Sequence, residues 1–116
     1  MLSPDQQRLV RIWDYCSFIG STAKRFGQSW EAFSADPDYQ QSVAFSVLQI
    51  GELAGRLSEK LRTETAAEMD WAAIKGLRNI VVHEYGKVRL RTLWDIVAED
   101  IPKLRQFCED HLPENF

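Results

Sequence analysis

Six apolar residues, Val43, Val47, Ile50, Ala54, Leu57 and Leu61, leave this chain little choice of fold. Their spacing alternates between four and three over five steps, which draws one face of a long helix and is incompatible with the two-residue period of a strand. Asp36-Pro37 supplies the start of that helix, an N-cap followed by a proline at the first helical position. The same pattern recurs along the chain. Ser3-Pro4-Asp5-Gln6 reads as a capping box opening a first helix, whose stripe of Leu9, Ile12, Cys16, Ile19, Ala23 and Phe26 runs until Gly27. Ser29 caps a short helix through Trp30 and Phe33. Asp70 caps another, with Trp71, Ile74, Leu77 and Val81 inward and an expected end near Tyr85-Gly86.

The last stripe, Leu90, Leu93, Trp94, Val97, Ile101, Leu104 and Cys108, is interrupted by Pro102. Proline has no N–H to give the carbonyl of Ala98, so a kink or break near Asp100 is expected. Gly51 and Gly55 lie one turn apart in the long helix, where each costs about 1 kcal/mol of propensity relative to Ala. Close approach of another helix is the expected compensation. No alternating strand, repeat or linker is visible, so residues 1–116 read as one all-α domain, an up-down bundle of four to five helices. Such bundles commonly pair, and a two-fold homodimer is the expected oligomer.

Composition narrows the function. The longest apolar runs, such as Ile80-Val81-Val82, fall far short of the roughly 20 residues that span a bilayer. The first residues lack the basic and apolar stretches of a signal peptide, so a cytoplasmic setting with Cys16 and Cys108 as reduced, buried thiols is expected. The formal charge of −3 argues against bulk electrostatic coating by nucleic acid. Between Trp71 and Asp95, however, Lys75, Arg78, Lys87, Arg89 and Arg91 outnumber Glu84 and Asp95 by five to two, a local +3 against −6 elsewhere. A small basic island on an acidic body suits a local anionic ligand, although solvated helix ends would look the same.

Most catalytic signatures are missing. There is no phosphate-binding glycine loop, the two cysteines are too far apart in sequence for a metal or redox pair, and His83-Glu84 is followed by Lys87 where a zinc-binding helix would need its second histidine. No metal and no cofactor is expected. What stands out is Arg78-Asn79-Ile80-Val81-Val82-His83-Glu84-Tyr85. Asn79 and His83 share a helical face, whereas Arg78 is about 140° round from His83, so one helix alone makes a loose site. Two copies facing each other would make a tighter one. An imidazole near neutral pKa and a permanently charged guanidinium suit phosphodiester chemistry, in which a 2′-hydroxyl attacks its own phosphate without a metal. Whether His83 serves as acid or base is open. The bland alternative is equally physical: His83 caps helix carbonyls, Asn79 holds a crossing, and Arg78 pairs with Glu52, Glu84 or Asp95.

At this segment the sequence resembles the HepT-like family of the HEPN superfamily, the toxin half of MNT–HepT toxin–antitoxin modules. The resemblance takes in Ile50-Gly51-Glu52-Leu53-Ala54, the helix start from Trp71 to Ile74, Leu77 through Tyr85, and Leu93-Trp94 through Leu104. It implies a dimeric, metal-independent endoribonuclease with Arg78 and His83 as catalytic residues in a groove at the dimer interface and RNA as substrate. It further implies an orienting or RNA-contacting role for Asn79, and a nucleotidyltransferase antitoxin that attaches AMP to Tyr85. The basic run Lys87-Val88-Arg89-Leu90-Arg91 departs from the family pattern, and Lys87 and Arg89 are added as expected RNA or antitoxin contacts. The rival reading is a non-catalytic helical subunit that helps a nucleotidyltransferase bind nucleotide or substrate.

Overall fold

The computed structural model describes the backbone of residues 1–84 and 90–116, and the side chains of residues 1–82 and 90–116. Among these residues the architecture is all-helical: α1 (Pro4–Phe26), α2 (Trp30–Ala35), α3 (Pro37–Gly55), α4 (Glu59–Glu64), α5 (Trp71–Glu84), α6 (Leu90–Asp95), a π-helical segment (Ile96–Asp100) and α7 (Ile101–Asp110).

The helix starts follow their local chemistry. Ser3 accepts from the Gln6 amide while Gln6 returns the bond to the Ser3 amide, completing the capping box of α1. Ser29 accepts from the Ala32 amide, Asp36 from those of Asp38 and Tyr39, and Asp70 from that of Ala73. Gly27 ends α1 at φ 120°, a conformation L side chains rarely adopt, and its N–H reaches the Ala23 carbonyl. Near Asp100 the helix changes form and does not break. Immediately upstream of Pro102, the Ile101 N–H bonds the Ile96 carbonyl five residues back, so the helix widens into the π segment before α7.

One expectation is corrected. The apolar line through Leu57 and Leu61 does not lie on a single helix, because α3 stops at Gly55 and α4 begins afresh after Ser58. Ser58 caps α4 by accepting from the Leu61 amide, and its own N–H donates to Asp5 of α1 at 2.9 Å. Leu57 is still buried, so the apolar phase survives the interruption.

Contacts between named pairs give the up-down order. Phe26 stacks on Tyr39, Tyr15 meets Phe45 and Asp5 meets Ser58, so α1 and α3 run antiparallel. Gly51 lies against Arg78 and Gly55 against Lys75, which makes α3 and α5 antiparallel in turn. Trp13 donates to Glu109 at 2.9 Å and Arg105 donates to Ser17 at 2.8 Å, setting α7 antiparallel to α1. The central helix α3 therefore touches α1 on one side and α5 on the other, and its Val43, Val47 and Ile50 are wholly buried. Phe33 of α2 packs edge-on to Tyr39 and beside Trp94, closing the end of the core under α6.

The two glycines of α3 are not equivalent. A Cβ on Gly51 would stand 2.7 Å from the Arg78 amide nitrogen and 2.8 Å from the Arg78 Cβ, whereas one on Gly55 would meet only the flexible Lys75 stem at 3.6 Å or more. Gly51→Ala is expected to lower the unfolding free energy by about 1–3 kcal/mol, because the α5 backbone must move, despite better helix propensity. Gly55→Ala is expected to raise it by up to about 1 kcal/mol. Urea unfolding of both variants checks the contrast.

Cys16 and Cys108 are buried in the α1–α7 interface. Burial pushes both thiols up, Cys108 to about 12. With the folded pKa above the unfolded value of about 8.5, the folded chain holds protons that the unfolded chain loses. Stability is therefore unaffected by these thiols below about pH 8.5 and falls above it, by roughly 1 kcal/mol per pH unit for each thiol. Unfolding measured from pH 8 to 10 should show this slope reduced in Cys108→Ala.

Candidate functional site around Arg78

The α3–α5 crossing places Arg78. With no side chain on Gly51, the α5 backbone comes within contact of α3 at residue 78, and the Arg78 side chain emerges beside Glu52, the residue after that glycine. Arg78 Nε donates to Glu52 Oε1 at 2.5 Å, and Nη1 donates to the side-chain carbonyl of Asn79 at 3.3 Å. Of the three carboxylates the sequence offered as partners, Glu52 is the one found among the described side chains; that of Glu84 lies outside them. Asp95 pairs instead with Arg91, at 3.4 Å.

Arg78 and Glu52 stay 43% and 39% exposed, so the guanidinium is held without being sealed off. Two clefts open on either side of it. The first, about 370 Å³, is bordered by Arg11 of α1, Gln49, Glu52 and Arg56 from the α3 side, and Val82 of α5. The second, about 350 Å³, has Gly51 and Gly55 on one wall and Arg56, Lys75 and Asn79 around it. Glu52, Arg56 and Arg78 border both. Arg11, Arg56, Lys75 and Arg78 against Glu52 leave a net charge of +3 on this face of an acidic chain.

Of the residues singled out in the sequence, Arg78 and Asn79 are brought together here. His83 belongs to α5, one turn beyond Asn79 in the helix register, and its side chain lies outside the described residues. Tyr85, Lys87 and Arg89, with the expected helix end at Tyr85-Gly86, also lie outside them. Sequence reading missed Arg11 and Arg56 altogether and had Lys75 only as part of the basic island. Arg56 follows Glu52 by four residues, a spacing that puts both on one side of the chain's turn. Arg11 carried no signal, because only the α1–α3 packing brings it to the cleft.

A separate cavity of about 390 Å³ lies between α1 and the π segment, bordered by Cys16, Trp94 and Arg105. Its chemistry is muted. The Cys16 thiol is raised by burial, and Arg105 is already bonded to Ser17, paired with Glu109 and stacked over Trp13. Among the described residues, no group of three or more His, Cys, Asp or Glu side chains is arranged to hold a metal ion, and no helix is long and apolar enough to cross a membrane.

A half-exposed ion pair contributes little to stability, typically below about 1 kcal/mol. Glu52→Gln is accordingly expected to lower the unfolding free energy by less than about 1 kcal/mol, well short of the Gly51→Ala effect. Chemical denaturation of the two variants side by side tests whether the pair is structural.

Comparison with known proteins agrees with the resemblance read from the motif. A family model described as "Ribonuclease HepT-like" matches residues 14–111. The chain is 32% identical over 104 residues to "Putative RNase TTE0752" of Caldanaerobacter subterraneus subsp. tengcongensis, covering 90% of each protein. It is 31% identical over 85 residues to "Putative RNase MJ1380" of Methanocaldococcus jannaschii, covering 66% of this chain and 78% of that one. A shorter match of 64 residues at 31% identity relates it to "Probable ribonuclease HepT" of Thermococcus cleftensis, over 53% of this chain and 58% of that one. No solved structure matches the chain. With the matched region running from α1 to the end of α7 and including the whole Arg78 crossing, the chain belongs to the HepT-like ribonuclease family.

Proposed function

We propose that this protein is a metal-independent endoribonuclease, the toxin of a toxin–antitoxin module, with Arg78 and His83 as its catalytic residues in a groove between two copies of the chain. The observation that carries the reading is the Arg78 guanidinium, fixed by Glu52 and Asn79 yet open to two clefts, in a member of a ribonuclease family.

The chemistry follows from the residue types. The ribose O2′ forms a bond to the adjacent phosphorus while the P–O5′ bond breaks, leaving a 2′,3′-cyclic phosphate and a 5′-hydroxyl. One proton leaves O2′ and one arrives at O5′, transfers within the range of an imidazole. Two copies of α5 facing each other would bring two His83 side chains to one strand. Extra negative charge on the phosphate oxygens in the transition state is met by the planar, permanently charged Arg78. The nucleophile belongs to the substrate, so DNA, which lacks it, is spared. Asn79 holds Arg78 in place, and Lys87 and Arg89 add contacts to RNA or antitoxin. Silencing comes from a nucleotidyltransferase antitoxin that attaches AMP to Tyr85, two residues from His83, where a bulky anion repels the RNA strand.

Purified protein incubated with RNA in chelator is expected to cut it to fragments with 5′-hydroxyl ends. Arg78→Ala and His83→Ala are each expected to lose at least about 100-fold in rate, the scale of one oxyanion donor or one general acid–base group. Cleavage persisting in both variants would mark a contaminant, and no cleavage by the unmodified protein would favour the non-catalytic subunit reading. Mass spectrometry of Tyr85 peptides, with and without a co-expressed neighbouring nucleotidyltransferase, is expected to show the added AMP only in the silenced state.

A further inference from the structure

Lys75 and Arg56 have no part in the reading above. Lys75 precedes Arg78 by three residues of α5, about 4.5 Å along the helix axis, so the two long side chains leave neighbouring turns of one helix close enough to reach adjacent phosphates of a strand. Its hydrocarbon stem lies 3.6–3.9 Å from where a Gly55 Cβ would stand, so the lysine lies across the end of α3. Arg56 is the C-cap residue that follows α3, and it borders the same cleft. Both side chains are exposed. Among the described residues, no carboxylate lies within 4.0 Å of the charged groups of Lys75, Arg56 or Arg11. By contrast Arg78, Arg91 and Arg105 each have a carboxylate partner. Cations gathered at one opening without a protein counter-charge are suited to an external anion, and Glu52 is engaged by Arg78.

We propose that Lys75 and Arg56 form a second phosphate subsite, which holds the phosphodiester next to the one at Arg78 and so lays the RNA strand along the α3–α5 crossing. The subsite rests on the ribonuclease reading for its ligand. Its contribution is to position the strand, and it carries no sequence preference, since phosphates are alike at every step. Arg11, in the cleft on the other side of Arg78, continues the same cationic line.

Equilibrium binding of a short single-stranded RNA is measured in a His83→Ala background, so that the probe is not consumed, across a series of salt concentrations. Removing the cation from one phosphate should lower the slope of log affinity against log salt by about 0.7. Lys75→Ala with Arg56→Ala is expected to lower it by about 1.4 and to weaken binding at low salt by roughly 10-fold or more. Lys103→Ala, an exposed lysine on α7, is expected to leave both unchanged. Circular dichroism of each variant guards against misfolding. An unaltered slope and affinity in the double variant, with wild-type cleavage of RNA intact, would overturn the subsite and leave the ribonuclease reading standing. Failure of the parent to bind or cut any RNA would overturn both. Loss of ATP binding in the double variant with RNA binding unchanged would assign the cations to a nucleotide and overturn the proposal.

Discussion

The crossing of α3 on α5 at Gly51 is the constraint on which the rest of this molecule hangs. Here the Arg78 backbone occupies the volume that any side chain at position 51 would need. The glycine forgoes about 1 kcal/mol of helix propensity and lets two backbones meet. That proximity gives Glu52, the next residue, the reach to bond Arg78 across 26 positions of sequence. A fold that separated the two helices by another methyl group would keep its core and lose the geometry of its cationic face.

What the sequence made legible is what depends on local chemistry. Ser3, Ser29, Asp36 and Asp70 cap the helices that the sequence assigns to them, because an N-cap needs only a side-chain oxygen and amides two or three residues on. Pro102 disturbs its helix because the missing N–H belongs to the proline itself. The break between α3 and α4 escaped for the opposite reason. Leu57 keeps its inward phase across the interruption, and the bond that fixes the Ser58 turn comes from Asp5, 53 residues away. Periodicity records which residues face inward. It does not record whether the backbone joining them is continuous.

The site divides along the same line. Arg78 and Asn79 were legible because they are adjacent in a helix and chemically distinctive, and Glu52 was one of three carboxylates within plausible reach. Only packing could choose among them, since α3 lies against α5 at residue 78 while Asp95 is occupied by its i−4 neighbour Arg91. Arg11 of α1, Arg56 at the C-cap of α3 and Lys75 of α5 converge only once the three helices are assembled. A net-charge window over residues 71–95 catches Lys75 and misses both arginines, because the cationic face is a property of the surface and not of any segment.

The donors of Arg78 show what an arginine offers at this crossing and why a carboxylate beside it is compatible with the proposed use. A guanidinium has five N–H donors in a fixed plane. Glu52 takes the one at Nε and Asn79 one at Nη1, which leaves three, two of them on Nη2. A lysine held by the same two acceptors would offer a single remaining donor with no set plane, and could not present a fork to a phosphate. Binding Nε to a carboxylate on a neighbouring helix therefore costs Arg78 one donor and fixes the plane of the others. Because the pair is half-exposed, water screens the Glu52 charge, and in the proposed reaction an incoming phosphate would meet a cation whose orientation is already set.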